Sequence, residues 1–310
     1  MPEKSTYIPK TLNNIAIQYK SDEYIFPSFM KDIPTMNDSG NFWSYDKDWT
    51  LPNNMEKAPG SAAQQITWGA SNATYLVRKL AVKDNIPDDD MDNVDKPLDL
   101  KRDTTENLVD VVMRKQERLC SELLFTTTGF SNNETLNTAT SFNYNTTTSD
   151  PIGKMVSVTS FVHAQCGKFP THMVINQPVL DALKENNNVY SRIQYTDRQF
   201  ISIDLLTAIF DLEQVLVGRA YYQTHQEGLT ATQTSIWGSD AIVGHFAGAP
   251  SKKKLSAAAM FRNMKQGSPY RVKQWHDEET ENTYIEVQTK MTPRIMASLA
   301  GYYLKTVALI

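Results

Sequence analysis

The densest concentration of potential metal ligands is the run Asp88, Asp89, Asp90 and Asp92 with Asp99 beyond it. Asp88, Asp90, Asp92 and Asp99 fall at the first, third, fifth and twelfth positions of a calcium-loop template, where carboxylates would offer oxygen to a hard cation. The other positions do not follow it. The turn that needs glycine holds Asn93, and the ninth position holds Lys96. The run is therefore read as a solvated acidic loop, and no metal is expected.

A second candidate is His163 with Cys166 at i, i+3 on one expected helix, and His172 close by. Such a set could pair a thiol with an imidazole or begin a zinc site. No CxxC or HExxH accompanies it, so core histidine and core cysteine are the preferred reading. His225-Gln226-Glu227 matches half of a nucleobase-deaminase signature, but the required Pro-Cys-x-x-Cys does not follow. The sequence also has no GxxxxGK[ST], GxGxxG or GxSxG to cradle a phosphate or present a nucleophile. Lys252-Lys253-Lys254 is read as a solvated loop, which in a functional role would face packaged nucleic acid or a partner's acidic loop. No catalytic, cofactor-binding or metal-binding residue is assigned, no cofactor is expected, and the chain is not expected to be an enzyme.

Composition narrows the classes further. A chain of 310 residues with 40% apolar content can bury a substantial core. Lys plus Arg number 31 against 35 for Asp plus Glu, a net charge of −4 that provides no general field for nucleic acid or an anionic membrane. Cys120 and Cys166 cannot make a disulfide framework and fit a reducing compartment. Neither a signal-peptide pattern at the start nor an apolar run of membrane-spanning length is present, so no membrane partner is expected.

These residues need elements to position them, and the first 95 residues are expected to supply little structure of their own. Ile8-Pro9, Phe26-Pro27 and Ile33-Pro34 bias their first members toward extended backbone. No amphipathic helix is read there. Phe42-Trp43, Tyr45, Trp49, Ile66-Thr67-Trp68 and Tyr75-Leu76-Val77 suggest a long two-stranded excursion broken at Pro52-Asn53-Asn54 and Pro59-Gly60. Such a ribbon is marginal alone in water and needs a partner surface.

Beyond it, Leu108, Val111, Val112, Leu119 and Leu123 predict a helix over Asp99–Thr126, roughly 40 Å long at 1.5 Å per residue. Arg114, Lys115, Glu117, Arg118 and Glu122 are assigned to its other faces. Residues 131–149 read as a polar connection. Asp150-Pro151 then opens a helix that Gly167 closes. Strands are expected at Met173–Ile175, Val215–Val217, Ser235–Trp237 and Ala241–Val243. Helices are expected after Asn176 and over Asp204–Leu212, completing a compact α/β unit. Tyr270–Trp275 and Tyr284–Met291 form a hairpin around an acidic turn, and Leu304–Ile310 is an apolar terminal strand.

The order of these elements resembles the major capsid protein of tailed bacteriophages, a fold shared with encapsulins. Its local carriers are Glu106-Asn107-Leu108-Val109-Asp110 leading into Arg114–Leu119, and Phe169-Pro170-Thr171-His172-Met173-Val174-Ile175-Asn176 followed by Pro178-Val179-Leu180. The resemblance implies an α+β fold with an N-terminal arm at 1–35, an extended loop at 36–96, and a peripheral domain whose spine helix and polar connection occupy 97–150. An axial domain follows at 151–249, then the peripheral β-hairpin at 250–291 and a C-terminal strand returning to the axial domain at 292–310.

It further implies self-assembly into pentamers and hexamers of an icosahedral shell around double-stranded DNA, with weak and non-specific contact to that DNA. Arm and extended loop would lie over adjacent subunits, in heterologous interfaces on the order of 2,000–5,000 Å². A separate scaffolding protein is expected because the arm begins at Met1, together with a portal and decoration proteins. Assembly would take place in the host cytoplasm and the mature location would be the virion capsid. Lys47, Lys57, Asn53 and Asn54 are available for a crosslink, though no motif places one. The alternatives are an encapsulin-like compartment and, from another class, a hydrolase using Cys166 or a histidine.

Overall fold

The computed structural model describes residues 7–19, 21, 23–45, 56–62, 70–93, 99–137, 141–142, 149–193, 201–224, 232–252, 254–265 and 268–308. The chain begins with helix α1 (Lys10–Gln18), the single-turn α2 (Phe26–Phe29), and strands β1 (Asp32–Thr35), β2 (Ser39–Tyr45), β3 (Ala70–Leu76) and β4 (Arg78–Pro87). Next come α3 (Asp88–Asp92), the long α4 (Leu100–Leu124), β5 (Asn132–Thr135), α5 (Pro151–Cys166), β6 (His172–Asn176), α6 (Gln177–Glu185), α7 (Asn187–Ile193) and α8 (Ile203–Phe210). Strands β7 (Gln214–Gly218), β8 (Tyr221–Gln223), β9 (Gln233–Ser235), β10 (Ala241–Gly244), β11 (Ala258–Asn263), β12 (Arg271–Asp277), β13 (Asn282–Ile295) and β14 (Gly301–Lys305) complete it.

The helix ends follow local chemistry. Asp99 caps α4 by accepting from the Arg102 N–H at 3.2 Å, and Asp150 caps α5 from the Gly153 N–H at 3.0 Å. Pro151 sits in the first turn of α5, where its missing N–H costs nothing, and Gly167 closes the helix at φ +65°. Along α4 the buried stripe is Leu108, Val109, Val112, Met113, Gln116, Glu117, Cys120, Ser121 and Leu124. This corrects the expected face: Val111 is exposed, and Glu117 lies inside, four residues after Met113 and three before Cys120.

Two mixed sheets organise the molecule. One joins β1, β11, β13 and β12 in that order, with β4 also paired along β13 over Asn282–Met291. The other runs β5, β14, β10, β6, β7, with parallel pairs at its two edges. Helix α4 packs across β13 and β4, while α5, α6 and α8 cover the second sheet. Strand β11 was not expected, and neither was β5 within the polar connection. The expected strand at Ser235–Trp237 ends at Ser235 and begins earlier, at Gln233. The terminal strand is Gly301–Lys305, after which Val307 and Ala308 are buried without strand pairing. The acidic run is a short helix, α3, rather than a loop. Asn186 closes α6, and α7 follows directly from Asn187.

The N-terminal segment departs most from expectation. Leu12 and Ala16 on α1, together with Tyr24, Ile25, Phe26, Phe29 and Met30, are buried in one core with Val109, Val112, Cys120 and Leu124 of α4. Its order comes from the chain's own α4 and β12. The apolar residues of α1 span only two turns, too short for a period to stand out. Phe26 is helical despite preceding Pro27, because Pro27 occupies the first turn of α2, where proline is tolerated. A second core lies under α5, α6 and α8, and a third, with Phe42, Tyr75 and Phe261, lies where β2 and β3 leave the body.

Candidate functional site

The residues singled out for chemistry are placed by their backbone surroundings. Cys166 ends α5 with its Sγ donating to the Lys168 carbonyl at 3.3 Å, and burial pushes its thiol pKa up, away from the nucleophilic thiolate. His163 stacks on Phe169 at 4.0 Å, His245 Nδ1 lies 2.9 Å from the Phe169 carbonyl, and His172 Nδ1 lies 2.7 Å from Thr171 Oγ1. Burial lowers the pKa of both His172 and His245, favouring neutral rings. Each imidazole is thus held by Phe169 or Thr171, and none is aimed at the thiol. Among the described residues no group of three His, Cys, Asp or Glu side chains is placed to hold a metal. Asp99 is occupied as the α4 cap. Lys96, Lys253 and His225-Gln226-Glu227 lie outside the described residues, as do Lys47, Asn53 and Asn54, while Lys57 is exposed.

A different residue gathers the fold together. The Glu117 carboxylate, wholly buried, accepts from the Ile25 N–H at 3.2 Å, the Phe26 N–H at 2.9 Å and the Trp237 indole N–H at 2.5 Å. It thereby satisfies the free amides at the start of α2 and fixes the loop after β9 to the long helix. Ser121, one turn on, donates to the Ile236 carbonyl at 2.7 Å. Burial pushes the Glu117 carboxyl up to about 7, against the pull of its three N–H donors. Asp110, nearer the helix start, accepts from Tyr24 at 2.9 Å and pairs with Arg114 at 2.8 Å, adding a second tie to the N-terminal segment. Its position is in register with the buried Met113 and Cys120, but its residue type directs a sequence reading to solvent.

The third construction holds the β2–β3 ribbon. Tyr75 stacks on Phe261 at 4.6 Å and 9°, and Phe42 packs on the same ring at 5.1 Å. Lys252 donates to the Tyr75 hydroxyl at 3.2 Å and its carbonyl accepts from the Trp43 N–H at 3.2 Å. Lys252, expected to be solvated, is therefore part of the ribbon's root.

No family model matches the chain. A major capsid protein of Burkholderia phage BcepMu is 20% identical over 243 residues, 78% of this chain and 77% of that protein. A phage-related protein from Bordetella bronchiseptica superposes with a TM-score of 0.80 at 19% identity, over 99% of this chain and 100% of that one. The capsid structure of cyanophage P-SCSP1u gives 0.60 at 11% identity, over 93% and 89%. This is a phage capsid-protein fold. Within this fold the Glu117 joint ties the N-terminal segment to α4. No helix among the described residues is long and apolar enough to cross a membrane.

Proposed function

We propose that this chain is the major capsid protein of a tailed phage, a structural protein that assembles with copies of itself into an icosahedral shell around double-stranded DNA. The observation that carries the reading is end-to-end agreement of architecture, from the N-terminal segment to β14, with a phage-related chain. The phage capsid relative favours a virion over an encapsulin-like compartment. The work of the molecule is mechanical: α4 and its β-sheet form a stiff body, and the ribbon rooted at Tyr75 extends from it. Two-stranded ribbons are marginal by themselves, so a neighbouring subunit is the natural surface for this one.

The proposed division has an arm at 1–35, an extended loop at 36–96, peripheral parts at 97–150 and 250–291, an axial part at 151–249 and a returning strand at 292–310. Pentamers and hexamers are the assembling units, with a separate scaffolding protein, portal and decoration proteins as partners and the host cytoplasm as the place of assembly. The test is negative-stain electron microscopy of the full chain co-expressed with its genomic neighbours, with nucleic acid assayed in purified particles. Closed particles holding DNA are expected; a monomeric or dimeric product under all conditions would overturn the reading, and shells enclosing a cargo enzyme would favour the compartment.

A further inference from the structure

The solvent face of the sheet formed by β4, β13 and β12 separates charge along its length. Side chains alternate across a strand, so the cross-strand rows on this face are Lys79 with Lys290, Gln288 with Arg271, and Lys83 with Glu286 and Lys273. Lys79, Lys83, Arg271 and Lys273 therefore gather around Glu286, while Lys290 at the edge of the row pairs with Asp38 at 2.8 Å. Lys79 and Lys273 share it at 3.7 and 4.0 Å, and Lys83 lies 5.2 Å from the Tyr284 ring. Arg271 makes no side-chain hydrogen bond or ion pair among the described residues and lines a cleft with Lys265, Ser268 and Gln288. The next row, the stacked Trp275 and Tyr284 at 5.5 Å, divides this basic field from the hairpin tip.

The tip is the opposite in sign. Asp277, Glu278, Glu279 and Glu281 lie at the β12–β13 turn, and α3 brings Asp88, Asp89, Asp90 and Asp92 beside them through the Asp88 N–H to Glu281 carbonyl bond at 3.0 Å. His276 faces these acids, 3.6 Å from Asp88. From Arg271 to Asp277 the strand runs about 20 Å. Acidic and basic patches thus sit at opposite ends of one rigid hairpin, on a chain whose net charge is only −4. One copy's tip is therefore complementary in charge to another copy's face.

We propose that the acidic tip of this hairpin docks on the basic sheet face of a neighbouring copy, a head-to-tail contact seated at Arg271 and Lys83. It rests on the shell reading and specifies one of its interfaces. Such contacts are heterologous and close when the rotation between copies closes, and their charge gives register and association rate.

Full-length chains carrying K83E/R271E, E278K/E279K or all four changes are compared with the unaltered chain. Assembled fraction is read by sedimentation and electron microscopy at about 50 mM and about 500 mM salt, either side of strong screening. Circular dichroism confirms that each chain is folded, as expected for surface sites. Each double variant is expected to assemble roughly tenfold less at low salt, and both the fourfold variant and a mixture of the two doubles to recover, because complementarity returns with its sign reversed. Doubles that assemble like the unaltered chain would overturn the contact while leaving the shell reading intact. So would a fourfold variant that fails to recover. Loss of DNA retention in K83E/R271E with normal assembly would make the face a nucleic-acid surface instead. An unaltered chain that never assembles would sink both readings.

Discussion

The indole N–H of Trp237 donates to the Glu117 carboxylate at 2.5 Å across 120 residues of sequence, in a site closed to solvent on all sides. The same carboxylate receives the amides of Ile25 and Phe26, so one side chain joins the N-terminal segment, the long helix and the loop after β9. Replacing it by alanine leaves three buried donors without acceptors. Glu117→Ala is expected to lower the stability of the unassembled subunit by roughly 3 kcal/mol, from the cost of orphaned buried polar groups. Urea unfolding measures it; a loss within about 0.5 kcal/mol, the range of ordinary surface changes, would show that the joint carries no stability.

The same group sets a pH dependence. Its folded-state value is raised from 4.5 to about 7, so between those limits the folded subunit holds a proton that the unfolded chain has released. The stabilisation is complete below about 4.5 and is lost as pH rises through about 7. The unassembled subunit should unfold at lower urea at pH 8 than at pH 5, once the contributions of other groups are subtracted using Glu117→Gln as reference. Glutamine keeps one acceptor and cannot titrate. Equal pH slopes in the two proteins would remove Glu117 as the source.

Gly218, at the end of β7, lets the Trp237 ring lie against the backbone. A Cβ at position 218 would stand 2.0 Å from Trp237 Cδ1, far inside contact distance. Gly218→Ala should displace the indole from Glu117 and cost about 2 kcal/mol, the usual scale of overpacking a closed core. Near-ultraviolet circular dichroism reports the tryptophan's environment; an unchanged spectrum with unchanged stability would mean the pocket accommodates the methyl freely.

Which parts were legible follows from where local signals are strong. Asp150-Pro151 and Gly167 bracket α5 because capping chemistry is local, and the hairpin Arg271–Asp277 with Asn282–Ile295 shows through alternation of Val272, Ile285 and Val287 with charged residues. Strand β11 is hidden by its alanines, which have weak strand preference; pairing with both β1 and β13 makes it a strand. The Asn-rich β5 is likewise a strand through its parallel partner β14. The N-terminal segment misleads in the opposite direction, because a short polar-rich stretch can still be ordered when Phe26, Phe29 and Met30 find a groove beside α4. Glu117 was hidden by its type: a carboxylate in the apolar register of a helix is assigned to solvent unless its partners are known, and those partners lie far away in sequence.

The ribbon of β2 and β3 is fastened at its base by Tyr75. That ring stacks on Phe261, its hydroxyl accepts from Lys252, and its edge lies where only the bare backbone of Gly40 fits, a Cβ there being 2.7 Å from the hydroxyl. Tyr75→Ala removes all three contacts without touching the Glu117 joint. A two-stranded ribbon without its anchor has little stability of its own, so its opening should separate from global unfolding. Hydrogen exchange at the amides of residues 39–45 and 70–76 should accelerate by roughly a hundredfold, while amides of α4 and β13 keep their protection. Uniform acceleration across the molecule would mean that Tyr75 supports the whole body, and unchanged exchange in the ribbon would mean that it is anchored by something other than this ring.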